Sequence, residues 1–358
     1  MKIGIISMQK VVNYGSYLQA YALFNVLTAL GHECRFIDIR PGELLDINKS
    51  TAIVHQKIWK YPIKKVQKIL FAWKREKLFI SNFWTSLGID QPVKETDVDC
   101  VIIGSDEVFN CLQADCPWGV SLQLYGDTYV PAISYAASFG YTSFEQLKKY
   151  GVEEEIRCAL NKMICISVRD SASLHCAEQL LGTEVQKHID PVLVYKWDKE
   201  YELKKRYKNY ILVYAYDNRI HDLEEINTIK AFAKKHKKKI ICFGMYQRWA
   251  DKNVLCTPFE LIQYFREADY VITDTFHGSV LSIKTNRPFA TIVRKTNRNK
   301  INDLLTLFSL SDRIVNNISD LESIITQDIE YSSVNMKIQN EKERALVYLA
   351  NAIKEVKV

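Results

Sequence analysis

The stretch Tyr270-Val271-Ile272-Thr273-Asp274-Thr275-Phe276-His277-Gly278-Ser279 joins a β-branched apolar run to a polar turn and then to the start of an apolar segment. A short Val/Ile/Thr run closed by turn formers reads as a buried strand, and the residues after Gly278 read as a helix over about 278–286. A strand that opens straight into a helix is half of a βα unit, the element from which parallel sheets are wound. The backbone N–H groups of Gly278, Ser279 and Val280 are expected at the helix N-terminus, where the peptide dipoles favour a phosphate or carboxylate. His277 would stand beside that anion, with Asp274 at the strand end. A lone histidine is more often structural, but this one lies between a strand end, an acidic residue and a glycine-opened helix, which favours a functional role.

The same alternation extends in both directions. The second half reads as strand 210–216, helix 221–236, strand 239–243, helix 258–267, the strand and helix just described, strand 289–293 and three closing helices. The first half reads as strand 2–7, helix 16–30, strand 33–39, a basic amphipathic segment 57–81, strands 98–103 and 132–138, helix 144–161 and strand 164–169. The expected fold is α/β, with two Rossmann-like halves and mostly parallel sheets. Asp190-Pro191 and the charged run Lys196-Trp197-Asp198-Lys199-Glu200 place the boundary between about 185 and 205. The expected domains are 1–190 and 191–330, with 331–358 as a closing helix that could return to the first half.

With 358 residues, 47% hydrophobic and 25% charged, the chain has a globular composition and enough length for two domains. Its apolar runs are strand-sized, so no transmembrane helix is expected, and the N-terminus enters a strand pattern rather than a signal peptide. A cytoplasmic protein is expected. The nine cysteines form no CxxC pair, which argues for reduced thiols and against a zinc site. A net charge of +6, spread over lysine clusters, suits anionic ligands or a membrane surface better than duplex nucleic acid.

Other candidate positions follow strand ends. Strand 2–7 runs into Asn13-Tyr14-Gly15-Ser16, where Gly15 can adopt a backbone conformation closed to other residues and Ser16 can cap a helix. An ordinary strand-to-helix turn fits equally well, and the absence of GxGxxG implies no nicotinamide cofactor. The strand through Val101-Ile102-Ile103 ends in Gly104-Ser105-Asp106, where Asp106 could hold or deprotonate a sugar hydroxyl or simply cap a helix. Arg169 and Arg294 follow strands and Arg298 lies in the next loop; each could grip an anion through its planar fork or be an ion-pair arginine. Segment 57–81 carries Ile63, Val66, Leu70, Trp73 and Ile80 among basic residues, with Trp59 and Trp73 placed for a headgroup region. A helix packed on the sheet with a solvated basic face is the competing reading.

The motifs Asn13-Tyr14-Gly15-Ser16-Tyr17-Leu18-Gln19-Ala20, Gly104-Ser105-Asp106-Glu107-Val108-Phe109-Asn110 and Thr273-Asp274-Thr275-Phe276-His277-Gly278 resemble, in order and spacing, the polysaccharide pyruvyl transferase family. Ser134-Tyr135-Ala136-Ala137-Ser138, Ser167-Val168-Arg169-Asp170 and Asp190-Pro191-Val192-Leu193 fit the same pattern, so the resemblance covers about residues 1–310. It implies a GT-B-like fold with the active site in the interdomain cleft, the first half on the acceptor side and the second on the donor side. It also implies phosphoenolpyruvate as donor, no cofactor or metal, and a sugar hydroxyl pair of a polysaccharide or lipid-linked glycan as acceptor. The products would be a pyruvate ketal and phosphate. Carried onto this chain, His277 and Asp106 are the expected catalytic residues. Arg169, Asp274, Gly278, Ser279, Arg294 and Arg298 are expected on the donor, and Asn13, Tyr14, Gly15, Gln19, Gly104 and Ser105 on the acceptor. Glu107 stands where many relatives have glutamine, which bears on acceptor choice. A nucleotide-sugar glycosyltransferase and a noncatalytic glycan-binding protein are the alternatives left open.

Overall fold

The computed structural model describes residues 1–49, 63–114, 116–198, 201–217 and 219–356. The chain divides into two compact units: Met1–Tyr61, Phe79–Tyr195 and Gln339–Val358 form the first, and Pro62–Leu78 and Lys196–Ile338 the second.

Among the described residues the first unit carries strands β1 (Lys2–Ile6), β2 (Glu33–Phe36), β3 (Cys100–Asp106), β4 (Ala132–Ala137), β5 (Ser167–Val168) and β6 (Gln186–Lys187). They form one parallel sheet in the order β2-β1-β3-β4-β5-β6. The second unit carries β7 (Tyr210–Tyr214), β8 (Lys239–Phe243), β9 (Lys252–Val254), β10 (Tyr270–Thr273), β11 (Phe289–Ile292) and β12 (Ile314–Val315). These form a second parallel sheet, β12-β11-β10-β7-β8-β9.

Central strands are apolar on both faces because helices cover both: β3 and β7 are buried along their whole length. In the first unit Ile103, Phe109, Tyr125, Phe139, Leu160 and Val168 belong to one hydrophobic cluster. In the second, Ile211, Val213, Phe232, Ile272, Ile292 and Leu321 form another. Each sheet has a point where the winding direction reverses, between β1 and β3 in the first and between β7 and β10 in the second. Loops leaving the carboxyl ends there diverge and open a crevice, the usual ligand position in such sheets. The motif segments after β3 and after β10 both leave from these points.

Several elements depart from the pattern read in sequence. The helix expected over 144–161 is two helices, Phe144–Tyr150 and Glu153–Leu160, because Gly151 takes a left-handed φ of 68° and stops the first. The helix expected from 278 begins at Phe276, since Thr275 is already its N-cap. Helix Ile63–Leu78 lies between β2 and β3 in sequence yet groups with the second unit. There Phe71 packs on Tyr246 at 5.6 Å, Lys68 pairs with Asp217 at 4.0 Å, and Arg75 donates to the Gly244 carbonyl at 3.3 Å. Lys57, Trp59 and Lys60 lie outside the described residues. The closing helix Tyr331–Lys354 groups with the first unit from Gln339 onward, where Tyr348 donates its hydroxyl to the Ser134 carbonyl at 2.8 Å.

Candidate functional site

In the first unit the site grows from the end of β3. Gly104 has φ 120°, and a Cβ there would lie 2.3 Å from the Tyr135 carbonyl oxygen, so only glycine lets β3 and β4 approach this closely. Asp106 adopts a left-handed φ of 77°, a strained conformation that neighbouring contacts must hold. Those contacts are explicit. Ser16 donates to Asp106 Oδ2 at 2.7 Å, and Arg169 Nη2 reaches Oδ1 at 3.4 Å. Arg169 Nη1 in turn donates to Asp190 Oδ2 at 2.8 Å, and Asp190 Oδ1 accepts from Val192 N at the start of a short helix. The Arg169 and Asp190 side chains are 2% and 0% exposed.

The loop after β1 is tied into the same network. Gln19 donates to the Ser7 hydroxyl at 2.7 Å and to the Ser16 carbonyl at 2.9 Å, and Ser7 donates to the Ser105 carbonyl at 3.1 Å. Helix Tyr14–Ala29 is capped by Asn13, which accepts from Gly15 N at 2.8 Å. Gly15 is therefore an ordinary helical residue, and Ser16 faces Asp106 instead of capping. Tyr14, Gln19 and Ser105 are wholly buried, with Tyr14 edge-on to Phe79 at 5.0 Å. Among the residues expected on an acceptor, Tyr14 and Gln19 make these scaffold contacts through their side chains and Ser105 through its carbonyl.

In the second unit the site lies after β10. Thr273 donates to the Tyr214 carbonyl, tying β10 to β7, and Thr275 accepts from Gly278 N at 2.9 Å as the cap of helix Phe276–Lys284. A Cβ on Gly278 would stand 2.0 Å from Thr273 Oγ1, so glycine is needed for the helix to start against the strand. The N–H groups of Gly278 and Ser279 are taken by Thr275 Oγ1 and by the Thr275 carbonyl, and Ser279 Oγ meets Thr291 Oγ1 at 3.0 Å. The expectation that these two amides face a ligand gives way for that reason: the N-terminal turn begins two residues earlier. His277 sits in that first turn and is buried.

Asp274 precedes the helix with no exposure. Its Oδ1 accepts from Tyr216 N at 3.3 Å, and Oδ2 lies 3.6 Å from Arg294 Nε. Burial pushes its carboxyl up to about 6, against the opposing pull of Arg219 and Arg294, so it titrates close to neutrality. Arg294 follows β11 and forks onto Glu225 at 2.6 and 2.9 Å. Asn297 clamps the two loops, donating to the Asp274 carbonyl at 2.7 Å and accepting from Arg294 N at 2.9 Å. Arg298 is exposed at the start of helix Arg298–Leu307. Arg219, from the loop after β7, stacks over Tyr216 at 4.4 Å.

The structure thus brings Asp106 and Arg169 together in one unit, and Asp274, His277, Gly278, Ser279, Arg294 and Arg298 on one sheet edge of the other. Arg169 belongs to the first unit, where its fork meets two aspartates. Sequence reading misses Glu225, Arg219 and Asn297. Glu225 gave no signal because an acidic residue in a first helical turn already has a reason to be there. Among the described residues, no cluster of three or more His, Cys, Asp or Glu side chains is placed to hold a metal ion, and no helix is long and apolar enough to cross a membrane.

Comparison with solved structures gives a likeness of fold. The MnaA–UDP complex of S. aureus aligns over 99% of this chain and 95% of its own, at 12% identity and a TM-score of 0.51. The UDP-GlcNAc 2-epimerase of Methanocaldococcus jannaschii aligns over 97% and 100%, again at 12% identity and a TM-score of 0.51. The chain therefore carries two Rossmann-like domains and is GT-B-like in class. Comparison with curated proteins yields no matching relative. The model of one family, polysaccharide pyruvyl transferase, matches residues 13–296 and so takes in every motif described above. On that match, the chain belongs to the polysaccharide pyruvyl transferase family.

Proposed function

We propose that the protein moves a pyruvyl group from phosphoenolpyruvate to a pair of hydroxyls on a glycan, leaving a pyruvate ketal and phosphate. Family membership supports a transferase role in polysaccharide biosynthesis. The observation that carries the finer reading is the set of groups after β10 and β11: a buried histidine in a helix's first turn, with Arg294 after β11 and Arg298 at the start of the next helix. Arginine forks hold a carboxylate and a phosphate on one small molecule, and the dipole of a helix N-terminus favours the same negative charge.

In the proposed reaction His277 gives a proton to the donor methylene, and positive charge develops on the adjacent carbon. A glycan hydroxyl attacks that carbon. The carbon–oxygen bond to phosphate breaks, and a second hydroxyl closes the ring. Of the two hydroxyl protons released, one restores His277 and the other leaves with phosphate. No cofactor or metal is needed for these steps. Asp106, with both oxygens engaged by Ser16 and Arg169, acts as a positioning residue for the acceptor loops, and Arg169 acts through it. Phosphate release from phosphoenolpyruvate, measured with and without glycan acceptors, tests the reading. His277→Ala should lower turnover by about 10²–10⁴-fold with its thermal unfolding unchanged. Near wild-type turnover would remove the acid role. Calorimetric binding of a nucleotide sugar without binding of phosphoenolpyruvate would put a glycosyltransferase in its place.

A lipid-linked acceptor would bring the enzyme to the cytoplasmic face of a membrane, and helix Ile63–Leu78 is the proposed contact. Opposite the face that packs through Phe71, it exposes Val66, Ile69, Leu70 and Trp73, the last at 55%, with Lys74 and Lys77 alongside. Spacing of i, i+3, i+4 and i+7 puts those four on one stripe. Basic residues near an anionic surface contribute about 1 kcal/mol each. Sedimentation with phosphatidylserine vesicles at low salt should carry the protein down; a supernatant unchanged by vesicles would remove the contact.

A further inference from the structure

The first unit holds a cavity of about 190 Å³ that none of the motif residues lines, bounded by Ser7, Gln9, Lys10, Asp38, Ile39 and Trp118. We infer that it is a subsite for one neutral pyranose ring of the acceptor glycan. The inference rests on the acceptor being a glycan, as proposed above, and assigns the residues that would read it.

The walls are built before any ligand arrives. Gln9 accepts from Ser7 N at 2.8 Å and donates to the Ile37 carbonyl at 2.9 Å, so the loop after β1 is pinned to the end of β2. Ser7 is shared with the Asp106 network through Gln19 and the Ser105 carbonyl, which ties one wall of the cavity to the end of β3. Trp118 is half-buried, packed against the hydrophobic cluster of the unit. Its indole N–H has no partner among the described residues. An indole wall takes the apolar C–H face of a sugar ring and keeps a polar tip for a hydroxyl.

Charge decides among ligand classes. Lys10 meets Asp38 Oδ1 at 2.5 Å, and both side chains are at least a third exposed, so the pair contributes little to folding and can be bridged or opened at small cost. A carboxylate and an ammonium side by side offer acceptors and donors to adjacent hydroxyls. The pair is close to neutral, so it supplies no net positive charge to draw a phosphorylated donor, and the volume is too small for a nucleoside diphosphate. A neutral polyhydroxylated ring is the class left.

Saturation-transfer NMR of the whole chain with methyl galactoside, methyl mannoside, methyl glucoside and their N-acetyl analogues tests this directly, with no donor present. At least one glycoside should bind. Trp118→Ala should weaken it about tenfold or more, Trp118→Phe should restore most of the affinity, and Asp38→Asn should weaken it or change which sugar is preferred. In turnover, Trp118→Ala should raise KM for the acceptor and leave KM for phosphoenolpyruvate unchanged. No glycoside bound by the wild type, or equal binding by the Trp118→Ala and Asp38→Asn variants, overturns the subsite. Because binding is read without donor, that failure is distinct from a failure of phosphoenolpyruvate to react.

Discussion

Both sheets end in a cluster made of an aspartate at a central strand and an arginine from further along the edge, yet the two clusters use the arginine differently. In the first unit Arg169 is enclosed between Asp106 and Asp190, its side chain 2% exposed. In the second, Arg294 is a quarter exposed, its fork rests on Glu225, and Asp274 stays at a raised titration point beside it. A closed cluster holds loops in place; a half-open one with a titrating acid can answer to a bound anion. On the proposed reaction, the first cluster positions and the second reacts.

Removing the two arginines in turn is the sharpest way to break that contrast. Arg169→Met leaves two buried carboxylates uncompensated and should cost roughly 3–5 kcal/mol in denaturant unfolding. Arg294→Met, at a more solvated pair, should cost about 1 kcal/mol and show itself mainly as weaker phosphoenolpyruvate binding. Equal losses of stability would erase the distinction. Next in size is Gly278→Ala, which drives a methyl into Thr273 and should cost about 1–3 kcal/mol through overpacking.

Acid should separate the units further. Burial, helped by Arg344, holds His188 of the first unit down to about 4. Its unfolded form takes up a proton near 6.5, so this contribution to stability is present above that value and is lost as pH falls toward 4. Asp274 has the opposite sign: its folded value of about 6 lies above the unfolded one near 3.8, so its contribution is present at low pH and is lost as pH rises through 6. Between pH 7 and pH 4 the first unit should weaken relative to the second, as read by hydrogen exchange in each. Asp274→Asn should flatten the second unit's pH dependence. The smallest expected effect is Trp73→Ala, within about 0.5 kcal/mol on stability because the side chain is exposed, but with loss of vesicle binding.

The strands that anchor these clusters were legible because they are short β-branched runs ending in turn residues: Tyr270–Thr273 and Cys100–Asp106 stand out at once. β6 and β9, Gln186–Lys187 and Lys252–Val254, did not, since a short polar strand at a sheet edge has no hydrophobic pattern to read. Site residues divide in the same way. Asp106, Asp274 and His277 are marked by position after a strand, which is local information. Arg169 and Arg294 are marked in the same way, but the pairings are not: Arg169 meets Asp106 across 63 residues and Arg294 meets Glu225 across 69. Whether an arginine faces a ligand or an aspartate is set by tertiary packing, which no window of sequence contains.

The central claim is the transfer itself, and the mass of the product tests it most directly. Incubation of the protein with phosphoenolpyruvate and galactose-, mannose- or glucose-terminated glycans should yield one acceptor heavier by about 70 daltons, pyruvate joined as a ketal with loss of water, together with one phosphate per transfer. Acceptors of unchanged mass alongside intact phosphoenolpyruvate would contradict the account.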